Sequence, residues 1–264
     1  MKIVVVGGRG FIGARLVSAL TRAGHEAASA SLSTGVDTVS GEGLLEAIDG
    51  ADAVVDAANS PSYDGEAAAA FFQTSTRNLL EAAKAVGVRH YVALSMVGAD
   101  QLAGSGYFGA KLLQEERVRD SGLPYTVVRS THSYELTSAI IPSGSAAEVV
   151  RLPTAWIRPV AADDLAEALA RIASAAPIHA VAQIAGPERF RLSELIQWIM
   201  YAYQDLRTVA GDPDATYYGA VLEEQCLLPS GHAHLGSATF ADWLGGQLAA
   251  KVQSSHVHRP RPYA

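Results

Sequence analysis

A glycine-rich turn near the start of the chain limits its fold more than any other feature. The residues GGRGFIG at 7–13 follow an apolar run from Ile3 to Val6 and precede apolar residues that recur at helical intervals. Glycine allows a tight turn and lets a helix pack closely against the preceding strand. We therefore predict a strand, a tight turn and a helix at the start of the chain.

The segments that follow alternate between apolar strands and helical patterns. ADAVVDAANSP, HYVALS and GLPYTVVRST have the composition of buried strands, and EAAAAFFQTSTRNLLEAAKAVG is typical of a long helix between the first two. Strands that alternate with helices of this length favour a parallel sheet covered by helices on both faces. The sequence therefore predicts an α/β fold with a doubly wound parallel sheet.

The chain of 264 residues is short enough for one hydrophobic core. We expect a single domain over residues 1–254, in which residues 186–250, where the alternation loosens, form a small lobe that caps the substrate. Thr239 and Asp242 have the spacing of a capping box, so we predict a late helix there. The segment 255–264 has prolines and charges without apolar periodicity, and we expect a flexible tail.

Composition argues against several classes of function. The net charge of -7 and the absence of a local Lys/Arg run argue against a nucleic-acid partner. Cys226 is the only cysteine, so an intrachain disulfide and a multi-cysteine metal site are excluded, and we predict no bound metal. The apolar stretches are too short for a membrane helix. We expect a cytoplasmic protein, monomeric or homodimeric, that acts on a small molecule.

The glycine loop also predicts a nucleotide site. Gly7, Gly10 and Gly13 follow the spacing that lets the backbone approach a pyrophosphate. The helix that begins at Phe11 and Ile12 offers unpaired N–H groups and the positive end of its dipole to the phosphates. We predict that a dinucleotide binds here, the alternative being an ordinary tight turn.

The end of the second predicted strand indicates which dinucleotide binds. An acidic residue there usually holds a free ribose 2'-hydroxyl, but this region has Ser29, Ser31 and Thr34 and no acid until Asp37. Hydroxyls and the guanidinium of Arg9 can hydrogen-bond to a 2'-phosphate, which a carboxylate would repel. We therefore predict NADP(H) rather than NAD(H), unless Arg9 simply points into solvent.

Other candidates follow predicted strands at the sheet edge where ligands bind. Ala58 and Asn59 are expected to contact the cofactor, with Tyr63 nearby, although Asn59 is equally suited to a turn. His132 is a candidate substrate contact or second proton donor, with a structural role as the alternative. Candidates for the pocket wall are Tyr217, Tyr218 and Trp156, although scattered aromatic residues more often belong to a core.

A second pattern combines a serine, a tyrosine and a lysine. Ser95 ends a predicted strand, Tyr107 comes twelve residues later, and Lys111 follows at the fourth place on the same helix face. An ammonium near the phenol would stabilise the phenolate and make Tyr107 a proton donor near neutral pH. We expect the Ser95 hydroxyl to hold the substrate oxygen. The alternative is that Tyr107 packs in the core and Lys111 is solvated.

With both patterns in this order, the sequence resembles the atypical, NmrA-like branch of the short-chain dehydrogenase/reductase superfamily. The resemblance extends over nearly the whole chain, through GGRGFIG, TRNLLEAAKAVGVRHYVALSMVGAD, SGYFGAKLLQEE, SGLPYTVVRST, AADDLAEALA, IAGPERFRLSEL and SATFADWL. It implies an NAD(P)-binding Rossmann-type fold in which Ser95, Tyr107 and Lys111 match the catalytic positions of the superfamily.

One segment departs from that branch. Related bacterial sequences often have Thr-Gln-Phe-Phe-Glu-Phe where this chain has THSYEL. The resemblance implies that His132, Ser133 and Tyr134 lie where the branch lines the nicotinamide and the substrate. We therefore expect His132 and Tyr134 to contact a substrate that the relatives do not identify.

Together these residues predict an NADP(H)-dependent oxidoreductase that reduces a small carbonyl compound with Tyr107 as the proton donor. Lys111 is expected to lower the phenol pKa and hold the ribose, and Ser95 to steady the developing alkoxide. Two alternatives stay open. One is a non-catalytic NADPH-binding sensor, because the branch includes members that bind the dinucleotide without turnover. The other is an epimerase or dehydratase that uses the dinucleotide transiently.

Overall fold

The computed structural model describes residues 1–140 and 149–257. Its strands are β1 (Lys2–Val6), β2 (Glu26–Ala30), β3 (Ala53–Asp56), β4 (His90–Met96), β5 (Tyr125–Ser130), β6 (Val149–Leu152), β7 (Trp156–Ile157), β8 (Val181–Ala185), β9 (Phe190–Arg191), β10 (Thr208–Gly211), β11 (Thr216–Tyr217), β12 (Ala220–Val221) and β13 (His234–Leu235). Its helices are α1 (Phe11–Arg22), α2 (Leu44–Ile48), α3 (Gly65–Ala85), α4 (Gly106–Asp120), α5 (Ala162–Ser174), α6 (Leu192–Ala202) and α7 (Phe240–Val257), with 3-10 turns at Leu32–Thr34 and Tyr134–Ile140.

The main sheet has seven parallel strands in the order β2-β1-β3-β4-β5-β8-β13. β1 and β3 consist mostly of buried apolar residues, as expected for strands that are covered on both faces. The strand order reverses between β1 and β3, so the loops that follow these strands diverge and leave a crevice at the carboxyl edge. The predicted α/β fold with a doubly wound parallel sheet is confirmed.

Each face of the sheet has its own hydrophobic core. On one face, α3 packs against α2 and α4, and Leu79 and Tyr91 are fully buried. On the other face, α1 packs against α5, and Leu16 and Leu169 are fully buried. Because helices hold both faces, the loops at the carboxyl edge have fixed starting points.

The region after β8 has a third core. It contains Leu195 from α6, Tyr217 from β11 and Trp243 from α7. β10 pairs with β6, so a strand from before position 186 also belongs to this part of the molecule. At the start of α7, the backbone N–H of Thr239 donates to Asp242 and that of Asp242 donates to Thr239, which is the capping box that the sequence predicted.

The last helix extends further than the sequence indicated. Residues 255–257, which we assigned to a flexible tail, continue α7 to Val257, because neither glycine nor proline interrupts the chain between Gly246 and Pro260. The rest of the predicted tail, 258–264, lies outside the described residues. Within the described ranges, the structure contains no helix that is long and apolar enough to cross a membrane.

Candidate functional site

A cavity of about 460 Å³ lies at the carboxyl edge of the sheet. Its walls come from β4, α1, α4 and α5, from the segments that follow β1, β3 and β5, and from the turn between β11 and β12. The sequence-predicted residues that line it are Gly7, Gly10, Phe11, Ile12, Gly13, Ala58, Asn59, Tyr63, Ser95, Tyr107, Lys111, His132 and Tyr218, whereas Tyr217 and Trp156 do not line it. The glycine loop and the serine–tyrosine–lysine pattern therefore meet in one cavity.

The glycine loop joins β1 to α1 through positions that suit glycine alone. Gly7 has a φ of +75°, and its N–H donates to the Ala30 carbonyl oxygen at 2.8 Å. The N–H of Gly10 donates to the Gly7 carbonyl oxygen at 2.8 Å. A Cβ on Gly13 would overlap that same oxygen. The backbones of Gly7 and Gly13 therefore lie so close together that the loop has no room for a side chain at Gly13.

The start of α1 presents free hydrogen-bond donors. Gly10 is the N-cap residue, no side chain caps the helix, and its first turn has no acidic residue. The N–H of Ala14 makes the bond to the Gly10 carbonyl oxygen, so the N–H groups of Phe11, Ile12 and Gly13 have no helical partners. These donors and the helix dipole fit the pyrophosphate of a dinucleotide.

We expect Gly13→Ala to lower the affinity for NADPH about tenfold or more. The added Cβ would displace the Gly7 carbonyl, on which the loop closes. Gly245→Ala is the matched control, because a Cβ at that position in α7 meets no atom within 4 Å. A fluorescence titration with NADPH measures both affinities, and equal values for the two variants would contradict the assignment of the loop.

The residues predicted to recognise a 2'-phosphate do not line this cavity. Ser31 and Thr34 belong to a 3-10 turn, in which Thr34 Oγ1 accepts a bond from the Ser31 N–H at 2.9 Å. The Ser29 hydroxyl is buried without a protein partner, at a position that a Cβ on Gly8 would reach. Arg9 is exposed in the loop. The three hydroxyl residues belong to the end of β2 and the turn that follows it, toward which an adenosine ribose would extend.

Tyr107 has its phenol at the cavity. The Tyr107 hydroxyl donates to Asn59 Oδ1 at 2.6 Å, and the residue is 5% exposed. Burial raises the pKa of Tyr107 well above its usual value, and the hydrogen bond with Asn59 acts in the opposite direction. The phenol is therefore protonated at neutral pH. This protonation state suits a proton donor.

Lys111 directs its hydrogen bonds away from the phenol, contrary to the sequence prediction. Its ammonium donates to the Leu94 carbonyl oxygen at 2.7 Å and to Gln114 Oε1 at 2.5 Å. Burial lowers the pKa of Lys111 to about 8, and the Asp56 carboxylate acts in the opposite direction. The acceptors of this ammonium lie on β4 and α4, and burial raises the pKa of the Tyr107 phenol, so the structure does not show the predicted lowering of that pKa by Lys111.

Ser95 also has a partner that the sequence did not indicate. Its hydroxyl donates to Glu115 Oε1 at 2.6 Å, and both residues are buried. Arg129 donates to the same carboxylate at 2.7 and 2.9 Å and pairs with Asp100 at 2.6 Å. A serine hydroxyl has one proton. In this structure that proton is hydrogen-bonded to Glu115 and is not free for the substrate alkoxide to which the sequence assigned it.

His132 has one engaged and one free nitrogen. Its Nδ1 lies 3.0 Å from the Tyr217 hydroxyl, and its Nε2 is buried without a protein partner. Burial lowers the pKa of His132, so the imidazole is neutral at neutral pH. The side chain lines the cavity. His132 therefore stays a candidate substrate contact.

Two further tyrosines form an aromatic wall of the cavity. The rings of Tyr63 and Tyr218 stack with centroids 4.6 Å apart. Tyr218 has a φ of +49° and Gly219 has a φ of +80° in the turn between β11 and β12. Two successive positive φ values are typical of a type I' hairpin turn. The dipeptide Tyr-Gly between two short apolar segments was the sequence signal for this wall.

The prediction that Tyr134 contacts the substrate is wrong. Tyr134 is 0% exposed and does not line the cavity. Its ring stacks on Trp243 with centroids 5.1 Å apart and an interplanar angle of 21°. Because α7 covers this ring, Tyr134 belongs to the third core.

Several buried polar residues around Lys111 were not predicted from the sequence. Gln114 Nε2 donates to Asp56 Oδ2 at 2.9 Å, and Glu115 binds Arg129. Burial raises the pKa of Asp56, whereas the charge of Lys111 lowers it. The signal in the sequence was the position of Gln114 and Glu115, three and four residues after Lys111, where a buried helix face should be apolar.

Known proteins share both the sequence pattern and the fold. The family model described as NAD(P)H-binding matches residues 7–176. A curated relative from Streptomyces griseus, (4-alkanoyl-5-oxo-2,5-dihydrofuran-3-yl)methyl phosphate reductase, is 30% identical over 211 residues, which cover 73% of this chain and 70% of that protein. The match with the family model extends over more than half of the chain.

Solved structures of low identity have the same fold. UDP-glucose 4-epimerase from Thermus thermophilus in complex with NAD has a TM-score of 0.67 at 20% identity, over 87% of this chain and 90% of that one. The NADPH-dependent quinone oxidoreductase from Escherichia coli in complex with NADPH has a TM-score of 0.57 at 22% identity, over 80% of this chain and 77% of that one. The family resemblance and the expected enzyme class are confirmed: the chain belongs to the NAD(P)H-binding family, with the Rossmann-type fold of the short-chain dehydrogenases/reductases.

Proposed function

We propose that the protein is an NADP(H)-dependent reductase of a small, uncharged carbonyl compound and that Tyr107 is its proton donor. The observation that carries this proposal is the single cavity that joins the free N–H groups of α1 to the protonated phenol. NADPH absorbance followed with a panel of aldehydes, ketones and quinones tests it. Tight NADPH binding without turnover of any compound would favour the sensor.

The cavity has groups that would hold the pyrophosphate and one ribose of a dinucleotide. The N–H groups of Phe11 and Ile12 would hold the pyrophosphate, and Ala58 and Asn59 follow β3 where the adjoining ribose would lie. Lys111 has three ammonium protons and uses two of them in the protein, so one remains for a ribose hydroxyl. A bound nicotinamide supplies the hydride.

Tyr107 would complete the reduction with a proton. Its hydroxyl now donates to Asn59, and a carbonyl oxygen that enters the cavity would replace this acceptor. An alkoxide is a stronger base than a phenolate, so the transfer is favourable even though burial raises the pKa of Tyr107. The phenol of Tyr107 would therefore supply the proton to that oxygen when hydride is added to the carbonyl carbon.

The cavity lining favours an uncharged substrate. Lys111 is the only charged side chain among the described lining residues, and its ammonium is bound to the protein. A phosphate group needs cationic or several N–H partners, so we propose a substrate without the phosphate of the Streptomyces relative's substrate. Tyr63 and Tyr218 offer stacked rings for a flat or apolar part of the molecule.

We expect NADPH to bind more tightly than NADH, because the end of β2 has hydroxyls where a carboxylate would hold a free 2'-hydroxyl, and the glycine loop contributes the exposed Arg9. Arg9→Ala should weaken NADPH about tenfold and leave NADH unchanged. Arg22→Ala, at the other end of α1, is the control and should change neither affinity. Calorimetry decides, and a preference for NADH or equal losses of both nucleotides in Arg9→Ala would count against NADP(H).

A cytoplasmic location and a small-molecule partner belong to the same proposal. Cys226, the one cysteine of the chain, is buried and unpaired, so the fold needs no oxidising compartment. The acidic net charge of -7 disfavours a nucleic-acid partner. Light scattering distinguishes the monomer from the homodimer.

A further inference from the structure

The bond between Ser95 and Glu115 defines what Ser95 can do for a ligand. The two oxygens are 2.6 Å apart, and Glu115 is 0% exposed. This length is typical of a hydroxyl that donates to a carboxylate. A serine hydroxyl has one proton and two lone pairs, so only its acceptor capacity remains. A ligand atom that hydrogen-bonds to Ser95 Oγ must therefore be the donor.

Arg129 fixes the direction of the hydrogen bond from Ser95 to Glu115. Arg129 donates through Nε and a terminal nitrogen to both oxygens of Glu115, at 2.9 and 2.7 Å. Its other terminal nitrogen pairs with Asp100 at 2.6 Å. The bidentate contact keeps the carboxylate from rotating and balances its charge. Glu115 therefore acts only as an acceptor toward Ser95.

The cavity holds both a donor and an acceptor for polar groups at the reacting end. Tyr107 carries a proton and suits a carbonyl oxygen, whereas Ser95 suits an N–H or O–H group. A carbonyl substrate offers acceptors at its reacting group. The carboxamide of a nicotinamide offers an NH2 donor beside the ring that reacts. The Tyr107 hydroxyl is therefore complementary to a substrate carbonyl, and the Ser95 oxygen is complementary to the carboxamide NH2.

We propose that Ser95 accepts a hydrogen bond from the carboxamide N–H of the bound nicotinamide, and that Glu115 is the positioning residue that imposes this direction. The inference rests on the proposed function, since it requires a nicotinamide cofactor in this cavity. Holding the carboxamide fixes the rotation of the ring about its bond to the ribose. Ser95 thus orients the cofactor, and Tyr107 contacts the substrate.

The test compares NADP⁺ with its 3-acetylpyridine analogue, which keeps the carbonyl but has a methyl group in place of the NH2. Calorimetry on the full chain should give about fivefold tighter binding of NADP⁺, the effect of one net hydrogen bond. In Ser95→Ala the preference should disappear, because the acceptor is gone. This variant keeps the Glu115–Arg129 pair and should fold.

Glu115→Gln tests the positioning role separately. The glutamine side chain has the same size, and its NH2 can donate to Ser95, which frees the serine proton to point at the ligand. The preference for the carboxamide should then vanish or reverse, while NADP⁺ still binds at the glycine loop. Asp100→Asn is the control: it weakens only the outer contact of Arg129 and should keep the preference.

The outcomes separate this inference from the proposed function. Equal affinities for the two dinucleotides in the unmodified protein, or an undiminished preference in Ser95→Ala, would overturn the role of Ser95. Loss of the preference in Ser95→Ala but not in a folded Glu115→Gln would overturn the role of Glu115. If Glu115→Gln does not fold, Glu115→Asp replaces it, since a shorter carboxylate that cannot reach Ser95 should also abolish the preference. Failure of NADP⁺ itself to bind would overturn the proposed function.

Discussion

Tyr107→Phe should lower the turnover of any accepted carbonyl by about a hundredfold or more, the usual effect of losing a general acid. The change removes only the hydroxyl that donates to Asn59 and leaves the ring among its aromatic neighbours. NADPH affinity should stay nearly unchanged, because the proposed site for its phosphates is the start of α1 and not the phenol. NADPH absorbance measures turnover, and calorimetry measures binding.

Tyr63→Phe is the matched control for this experiment. Tyr63 has its ring centroid 5.1 Å from that of Tyr107, lines the same cavity and is 48% exposed. Tyr63→Phe removes one hydroxyl from the cavity but leaves the Tyr107 hydroxyl, the proposed acid, in place. Turnover should therefore fall much less than in Tyr107→Phe. Undiminished turnover in Tyr107→Phe would show that another group, with His132 as the first candidate, delivers the proton.

The parts of the fold that the sequence predicted depend on neighbours in the chain. The turn at 7–13, the apolar strands β1 and β3 and the Thr239–Asp242 capping box each depend on residues a few positions apart. Parallel strands joined by helices then place the following loops at one edge. For this reason the sequence was sufficient to bring Gly10, Asn59 and Tyr107 to one cavity.

The side-chain contacts that the sequence did not predict depend on partners that are distant in the chain. Helical spacing placed Lys111 near Tyr107, but its ammonium donates a hydrogen bond to the carbonyl oxygen of Leu94, 17 positions away. Ser95 turned toward Glu115, 20 positions away. Tyr134 is covered by α7, more than a hundred positions later. Spacing defines which face a side chain occupies, whereas its hydrogen bonds follow the buried partners that tertiary structure supplies.

Arg129→Met should lower the free energy of unfolding by about 3 to 5 kcal/mol, the usual cost of leaving a buried charge without its partner. Glu115 is 0% exposed and, among the described residues, would keep the Ser95 hydroxyl as its one hydrogen-bond donor. Methionine has a length similar to that of the arginine stem, so packing changes little. Denaturant unfolding measures the loss, provided that the transition is two-state.

A surface pair and a double variant show whether that loss comes from the unpaired carboxylate. Arg151→Met breaks a contact with Asp212 at 3.5 Å in which the arginine side chain is 71% exposed, and should cost less than about 1 kcal/mol. Arg129→Met with Glu115→Leu removes both charges and should recover most of the stability, since apolar replacement of a buried pair is often neutral. If the double variant is no more stable than Arg129→Met, the loss of stability comes from packing around position 129. The ion pair between Arg129 and Glu115 then does not stabilise the fold beside Ser95.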